Sequence, residues 1–196
     1  DIGGHMGPRI PESYTRWVQF GATTAALRSH STRSPEHDRR PWTYPSWAEE
    51  SMRISFHLRS MLFPYIYSSA RQGFSRSLPL NRPMYLEHPA DQRSYRNGQQ
   101  YYFGDAFLAA PVVSPGEGPG RVGVQAVWFP EGRWYNWFTG EMFEGDTEIL
   151  AAADIDEFPL YAKGGVPIPM QPYTQRMSLG PGEKLIVKCY PGAGGE

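Results

Sequence analysis

The hydrophobic rhythm of this 196-residue chain changes once, near Gly73, and the change limits the folds open to it. Before that point apolar residues recur at helical spacing. Trp47, Ile54, Leu58, Met61, Leu62, Tyr65 and Ile66 give a 3.6-residue pattern across 46–72, and Tyr14, Trp17 and Val18 start a shorter one. Ser46 followed by Glu49 predicts a capping box at the start of the longer helix. Pro64 predicts a kink or division inside it, and Gly73 a stop. Residues 22–27 are small and apolar, as in a buried strand or its approach. After Gly73 the pattern becomes short β-rich runs at 84–86, 101–103, 107–113, 122–129, 133–138, 147–151, 160–162, 166–170 and 184–190. Turn residues separate them, among them Asn97-Gly98, Thr139-Gly140 and Pro181-Gly182. Many short strands at this spacing predict an antiparallel sandwich. Pro130-Glu131-Gly132, between two apolar runs, predicts a hairpin. The expected class is α+β, with strand–helix units over 1–80 and an all-β region over 81–196.

Composition removes several functions. Basic residues number 19 and acidic residues 20, a net charge of −1, so no broad basic face is available and a nucleic-acid partner is not expected. No apolar stretch reaches 18 residues, so no membrane-spanning helix is expected. The single cysteine, Cys189, excludes an internal disulfide and a thiolate metal cage, and reads as an inert small hydrophobe. Asp1-Ile2-Gly3-Gly4 reads as the end of a buried strand entering a glycine loop, which suggests a piece of a longer protein; translation from Met6 behind tag residues is the alternative.

At this level the residues resemble a known family. DIGGH, ESYTRWVQFGA, RSHS and RRPW, followed by LFPYIYSSA, PLNRPMYLEHP, QYYFGDAFLAAPVVSPG, VWFPEGRWYNWFTGE and DEFPLYAKGGVPIPMQP, resemble glycoside hydrolase family 31 in sequence order over residues 1 to about 172. The resemblance implies the C-terminal end of a (β/α)8 barrel followed by a proximal β-sandwich, with active-site residues at the C-terminal ends of barrel strands. It implies a retaining α-glycosidase, α-glucosidase or α-xylosidase in kind, that uses two carboxylates. By the resemblance both carboxylates lie in motifs upstream of DIGG, so neither is assigned here. Asp1 resembles a carboxylate beside the bound sugar, and His30 the histidine that bonds a hydroxyl of that sugar. His5 stands where many members carry an aromatic, which implies a hydrogen-bonding wall in place of a stacking one. Arg40 stands where many carry a glutamate, which puts a loop salt bridge in doubt. The implied partners are an oligosaccharide or glycoside and the remainder of the parent barrel, with no cofactor.

Other groups read more plainly. Glu36-His37-Asp38 has no zinc-type spacing to His30, and no metal is expected. Asp154, Asp156 and Glu157 read as a solvated turn. Trp128, Trp134, Tyr135 and Trp137 read as core packing, with sugar stacking as the alternative. A non-catalytic carbohydrate-binding or structural sandwich module is the rival function. Sugar identity, oligomeric state and compartment stay open.

Overall fold

A computed structural model describes residues 1–176 and 184–192. The turn expected at Pro181-Gly182 lies outside them. The helical half holds α1 (Pro11–Ala22), α2 (Ser46–Met61) and α3 (Phe63–Arg76). Two single turns, Pro35–His37 and Pro41–Thr43, shape the loop between α1 and α2. Among the described residues, two one-turn helices, α4 (Met84–Glu87) and α5 (Arg93–Arg96), sit with ten strands: β1 (Asn81–Pro83), β2 (Tyr101–Phe103), β3 (Phe107–Ala109), β4 (Gly123–Phe129), β5 (Arg133–Asn136), β6 (Met142–Glu144), β7 (Thr147–Ala153), β8 (Leu160–Lys163), β9 (Ile168–Met170) and β10 (Ile186–Lys188).

Pro64 divides the long helix as expected. Leu62 adopts φ −80°, ψ 5° between α2 and α3, and Pro64 sits in the first turn of α3, where its missing N–H costs nothing. The capping box does not form. Pro45 occupies the cap position, Ser46 is already helical, and the Glu49 carboxylate turns to Arg53 one turn ahead at 2.7 Å. Gly73 does not stop α3. The helix runs to Arg76 and ends on Ser77 in the left-handed region, φ 56°. Gly73 is needed for a different reason: a Cβ there would lie 2.8 Å from the Leu78 carbonyl, where the chain doubles back.

Six strands form one antiparallel sheet in the order β1-β2-β3-β8-β5-β6. Alternation along it feeds two cores. Tyr102, Leu108 and Tyr161 stand opposite one another across β2, β3 and β8, and face Val127, Phe129 and Ala151 from the separate β4–β7 ribbon. On the other face Phe103, Phe107 and Ala162 pack against Leu58, Leu62, Tyr65 and Ile66 of α2 and α3. With both faces covered, the run 107–112 is apolar throughout instead of alternating. Each large side chain fully buried there contributes roughly 1.5–3 kcal/mol.

The hairpin expected at 130–132 is absent. β4 pairs with β7, while β5 pairs with β6 and β8, so this turn carries the chain from one sheet to the other. Trp134 Nε1 donates to the Pro130 carbonyl at 2.8 Å, and its ring packs against Phe129, which holds the crossing. Trp128 and Trp134 are 1% and 0% exposed, so they are core, as expected. Three smaller expectations are corrected. Residues 84–86 are helical, because strand pairing stops at Pro83, which supplies the helix cap. Residues 22–27 contain no strand: Thr23 and Thr24 turn the chain, and Ala25 and Ala26 are exposed. Cys189 is exposed rather than packed, since it lies just past the short β10 strand.

The two halves are stitched by polar groups. Arg16, almost wholly buried on α1, donates to the carbonyls of Arg121 (2.7 Å), Glu157 (3.2 Å) and Asp154 (3.3 Å). Gln19 Nε2 and Ser51 Oγ both donate to Ile155 O. The 154–157 turn therefore bonds the seam through its carbonyls, and the Asp154 carboxylate adds a longer-range attraction to Arg16.

Candidate functional site

Ile2 and Ser29 form a parallel bridge, with the Ile2 N–H donating to Arg28 O at 2.8 Å. Asp1 and His30 flank that bridge on two neighbouring chain segments. Gly3 and Gly4, at φ 87° and 83°, then turn the chain sharply, and the Gly4 N–H closes the turn on Asp1 O at 2.9 Å. Only glycine fits at position 3: beyond its left-handed backbone, a Cβ would lie 2.5 Å from a Tyr14 ring carbon and 2.8 Å from Arg39 Cδ. The loop is held from beneath by Arg39, which is 3% exposed. Its guanidinium donates to Gly3 O (2.6 Å), Gly7 O (3.2 Å) and Pro8 O (3.4 Å). The Arg39 carbonyl in turn accepts from the Tyr14 hydroxyl at 2.5 Å and Ser29 Oγ at 2.8 Å. Burial raises the Tyr14 phenol above its usual range, so it stays a protonated donor. A Thr32 N–H to His5 O bond of 3.1 Å ties the loop to the segment after His30.

These constraints bring all three residues expected at the site together. His5 Nδ1 lies 3.6 Å from Asp1 Oδ2. The His5 and His30 rings are 4.9 Å apart between centroids and inclined by 32°. Arg28 forms an ion pair with Asp1, its Nε and Nη2 both on Oδ1, which leaves Oδ2 toward His5. The His30 imidazole is held below the usual histidine range, by desolvation first and then by Arg28 and His5. Two imidazoles and an oriented carboxylate, all exposed, offer a ligand both donors and acceptors.

Sequence reasoning did not find the brace beneath this cluster. Arg39 reads in sequence as half of a short basic pair, and nothing local marks it as the partner of a loop 32 to 36 residues away. The neighbouring Arg40 closes its own loop with Asp38, Nη2 to Oδ2 at 2.5 Å, so the loop keeps an ion pair despite the missing glutamate. That pair holds the Asp38 carboxyl at about 2. His37 Nδ1 is hydrogen-bonded to Thr32 Oγ1 at 2.7 Å, and Glu36 accepts from Ser34. The 36–38 run is thus spent on loop structure. A groove of about 600 Å³ opens elsewhere, between Trp17 and Phe20 of α1 and Tyr101 and Val113, and none of Asp1, His5 or His30 lines it. Its carboxylate, Glu12, accepts from the Gly116 N–H at 2.6 Å.

Two family models match the chain. One, described as the glycosyl hydrolases family 31 TIM-barrel domain, matches residues 1–69. The other, the glycosyl hydrolase family 31 C-terminal domain, matches residues 77–168. "Alpha-glucosidase 2" of Bacillus thermoamyloliquefaciens is 28% identical over 100% of the chain and 24% of its own length. An "Alpha-xylosidase" of Emericella nidulans is 35% identical over 87% of the chain and 22% of its own length. Among solved structures, a Flavobacterium johnsoniae GH31 dextranase with isomaltotriose superposes with a TM-score of 0.88 at 30% identity, over 98% of this chain and 24% of that one. A GH31 α-xylosidase from Xanthomonas citri gives 0.77 at 35% identity, over 93% of this chain and 20% of that one. The chain therefore spans about a quarter of the length of the relatives it matches.

Proposed function

We propose that this chain, which belongs to glycoside hydrolase family 31, supplies one wall of the sugar pocket and the supporting sandwich of a retaining α-glycosidase. The enzyme cleaves terminal α-linked glucosyl or xylosyl residues. Residues 1–80 are the last strand–helix units of the barrel, and residues 81–196 the sandwich. The remainder of the barrel is its partner and carries the nucleophile and the acid/base. In this chain Asp1, His5 and His30 are assigned to the substrate. Asp1 accepts from sugar hydroxyls, with Arg28 fixing its orientation, and His30 bonds a hydroxyl of the same ring. Holding a ring by fixed groups before attack lowers the entropic part of the barrier. His5 adds a polar wall where a flat aromatic would stack.

The observation that carries this reading is the convergence of Asp1, His5 and His30 beside the one parallel bridge described. The burial of Trp128 and Trp134 counts against the rival sandwich module, because those rings present no face to a ligand. The test is turnover of aryl α-glucosides and aryl α-xylosides by the complete polypeptide. Asp1→Ala and His30→Ala are expected to lower kcat/KM by about 100-fold or more, a loss of ~3 kcal/mol in transition-state binding. His5→Phe should change the glucoside-to-xyloside ratio by about tenfold, the scale set by small changes in a pocket wall. The 196-residue chain alone should turn over neither substrate. Unchanged rates in both alanine variants would overturn the assignment.

A further inference from the structure

The same three side chains have a ligand geometry that sugar binding does not require. One ligand atom from each of Asp1, His5 and His30 falls within 4.8 Å of the other two. Four-coordinate zinc with bonds of about 2.0–2.1 Å needs ligand atoms about 3.4 Å apart. The His5 Nδ1 to Asp1 Oδ2 distance is already 3.6 Å. The remaining separations are at most 4.8 Å, and the exposed His30 ring has room to turn toward the other two ligands. Two imidazoles with one carboxylate suit borderline transition-metal dications and suit magnesium or calcium poorly.

We propose that Asp1, His5 and His30 form a binding site for a transition-metal dication of the Zn²⁺, Ni²⁺ or Cu²⁺ kind. Two further features support it. Arg28 bonds Oδ1 only, so it orients the carboxylate as an outer partner while leaving Oδ2 for the metal. The glycine turn and Arg39 hold the His5 backbone in place before any ligand arrives. His5 makes the site, since an aromatic at position 5 would leave only two ligands. Metal binding does not depend on the sugar assignment above, although both draw on the same three side chains.

The test is calorimetric titration of the complete polypeptide with Zn²⁺ and Ni²⁺, alongside nitrogen-detected NMR of the imidazoles. One ion should bind per chain, with shifts at His5 and His30. His5→Phe and His30→Ala should each weaken binding at least tenfold, while His57→Ala, at a half-buried histidine tilted against Tyr173, should leave it unchanged. Circular dichroism of His5→Phe checks that its fold is intact. Absence of binding, or binding equally tight in His5→Phe and His30→Ala, overturns the proposal. Loss of metal binding in His5→Phe with an unchanged glucoside-to-xyloside ratio would leave the metal reading standing and sink the sugar-wall role of His5.

Discussion

Replacing Arg16 with methionine keeps the aliphatic stem and removes the guanidinium that joins the two halves. The bond to Arg121 O, at 2.7 Å, is the strong one; those to Glu157 O and Asp154 O are 3.2 and 3.3 Å. A hydrogen bond from a charged donor contributes about 1.5–3 kcal/mol net, and each carbonyl left bare in a buried seam costs up to ~1 kcal/mol more. Against this stands relief of the buried charge. Burial lowers the Arg16 pKa, opposed by Glu12, whose carboxylate is 3.9 Å from Nε. Offsetting ~1–2 kcal/mol for that relief leaves a loss of about 3 kcal/mol, within the range for breaking a buried charged contact. For a chain of this size, that is a fall in Tm of roughly 6–12 °C. Differential scanning calorimetry reads it directly, and Trp47 fluorescence follows the helical side, since Arg121 lies over that ring at 3.6 Å. Arg16→Lys, which reaches one carbonyl, should recover about half of the loss. A Tm within about 1 °C of the parent in Arg16→Met would refute the reasoning, because the seam would then be held by packing and the Gln19 and Ser51 bonds without Arg16.

Gly3→Ala should destabilise the chain by about 2–4 kcal/mol in urea denaturation, from the left-handed backbone and the contact with Tyr14 together. Tyr65→Phe should cost about 2 kcal/mol by the same measurement, since the hydroxyl donates to Phe103 O and accepts from the Ala106 N–H, both buried. Asp38 has a folded pKa of about 2, below the unfolded value near ~3.9. Its contribution is present above about pH 4 and is lost as pH falls toward 2, so Asp38→Asn should flatten that limb of the stability profile. Asp91, held at about 2 by Arg93, adds a second such limb, and the double variant should flatten it further.

The elements with strong local signals were legible. The 46–72 pattern became α2 and α3 with the break beside Pro64, and the β region formed with strands near most of the expected runs. What failed was pairing. Residues 123–129 and 133–136 look like a hairpin because the turn residues between them suit one, yet partner choice was decided by the burial of Phe129 and Trp134 between two sheets, which no local pattern records. Caps failed similarly: Ser46 had a competitor in Pro45, and Glu49 a nearer partner in Arg53. At the candidate site, Asp1, His5 and His30 could be named through a resemblance, but their support could not. Arg39 acts across more than 30 residues through carbonyl oxygens, and backbone acceptors carry no residue identity.

That last arrangement bears on how such a site can diversify. The shape of the 3–8 loop is held by its glycine turn and by Arg39 grasping main-chain oxygens, so the side chains displayed at positions 5 and 6 are free to change without unmaking it. Position 5 can exchange a phenyl for an imidazole at little structural expense, and a lineage can try new ligands there one mutation at a time. Arg39 has no such latitude, because its loss would release every residue the loop displays.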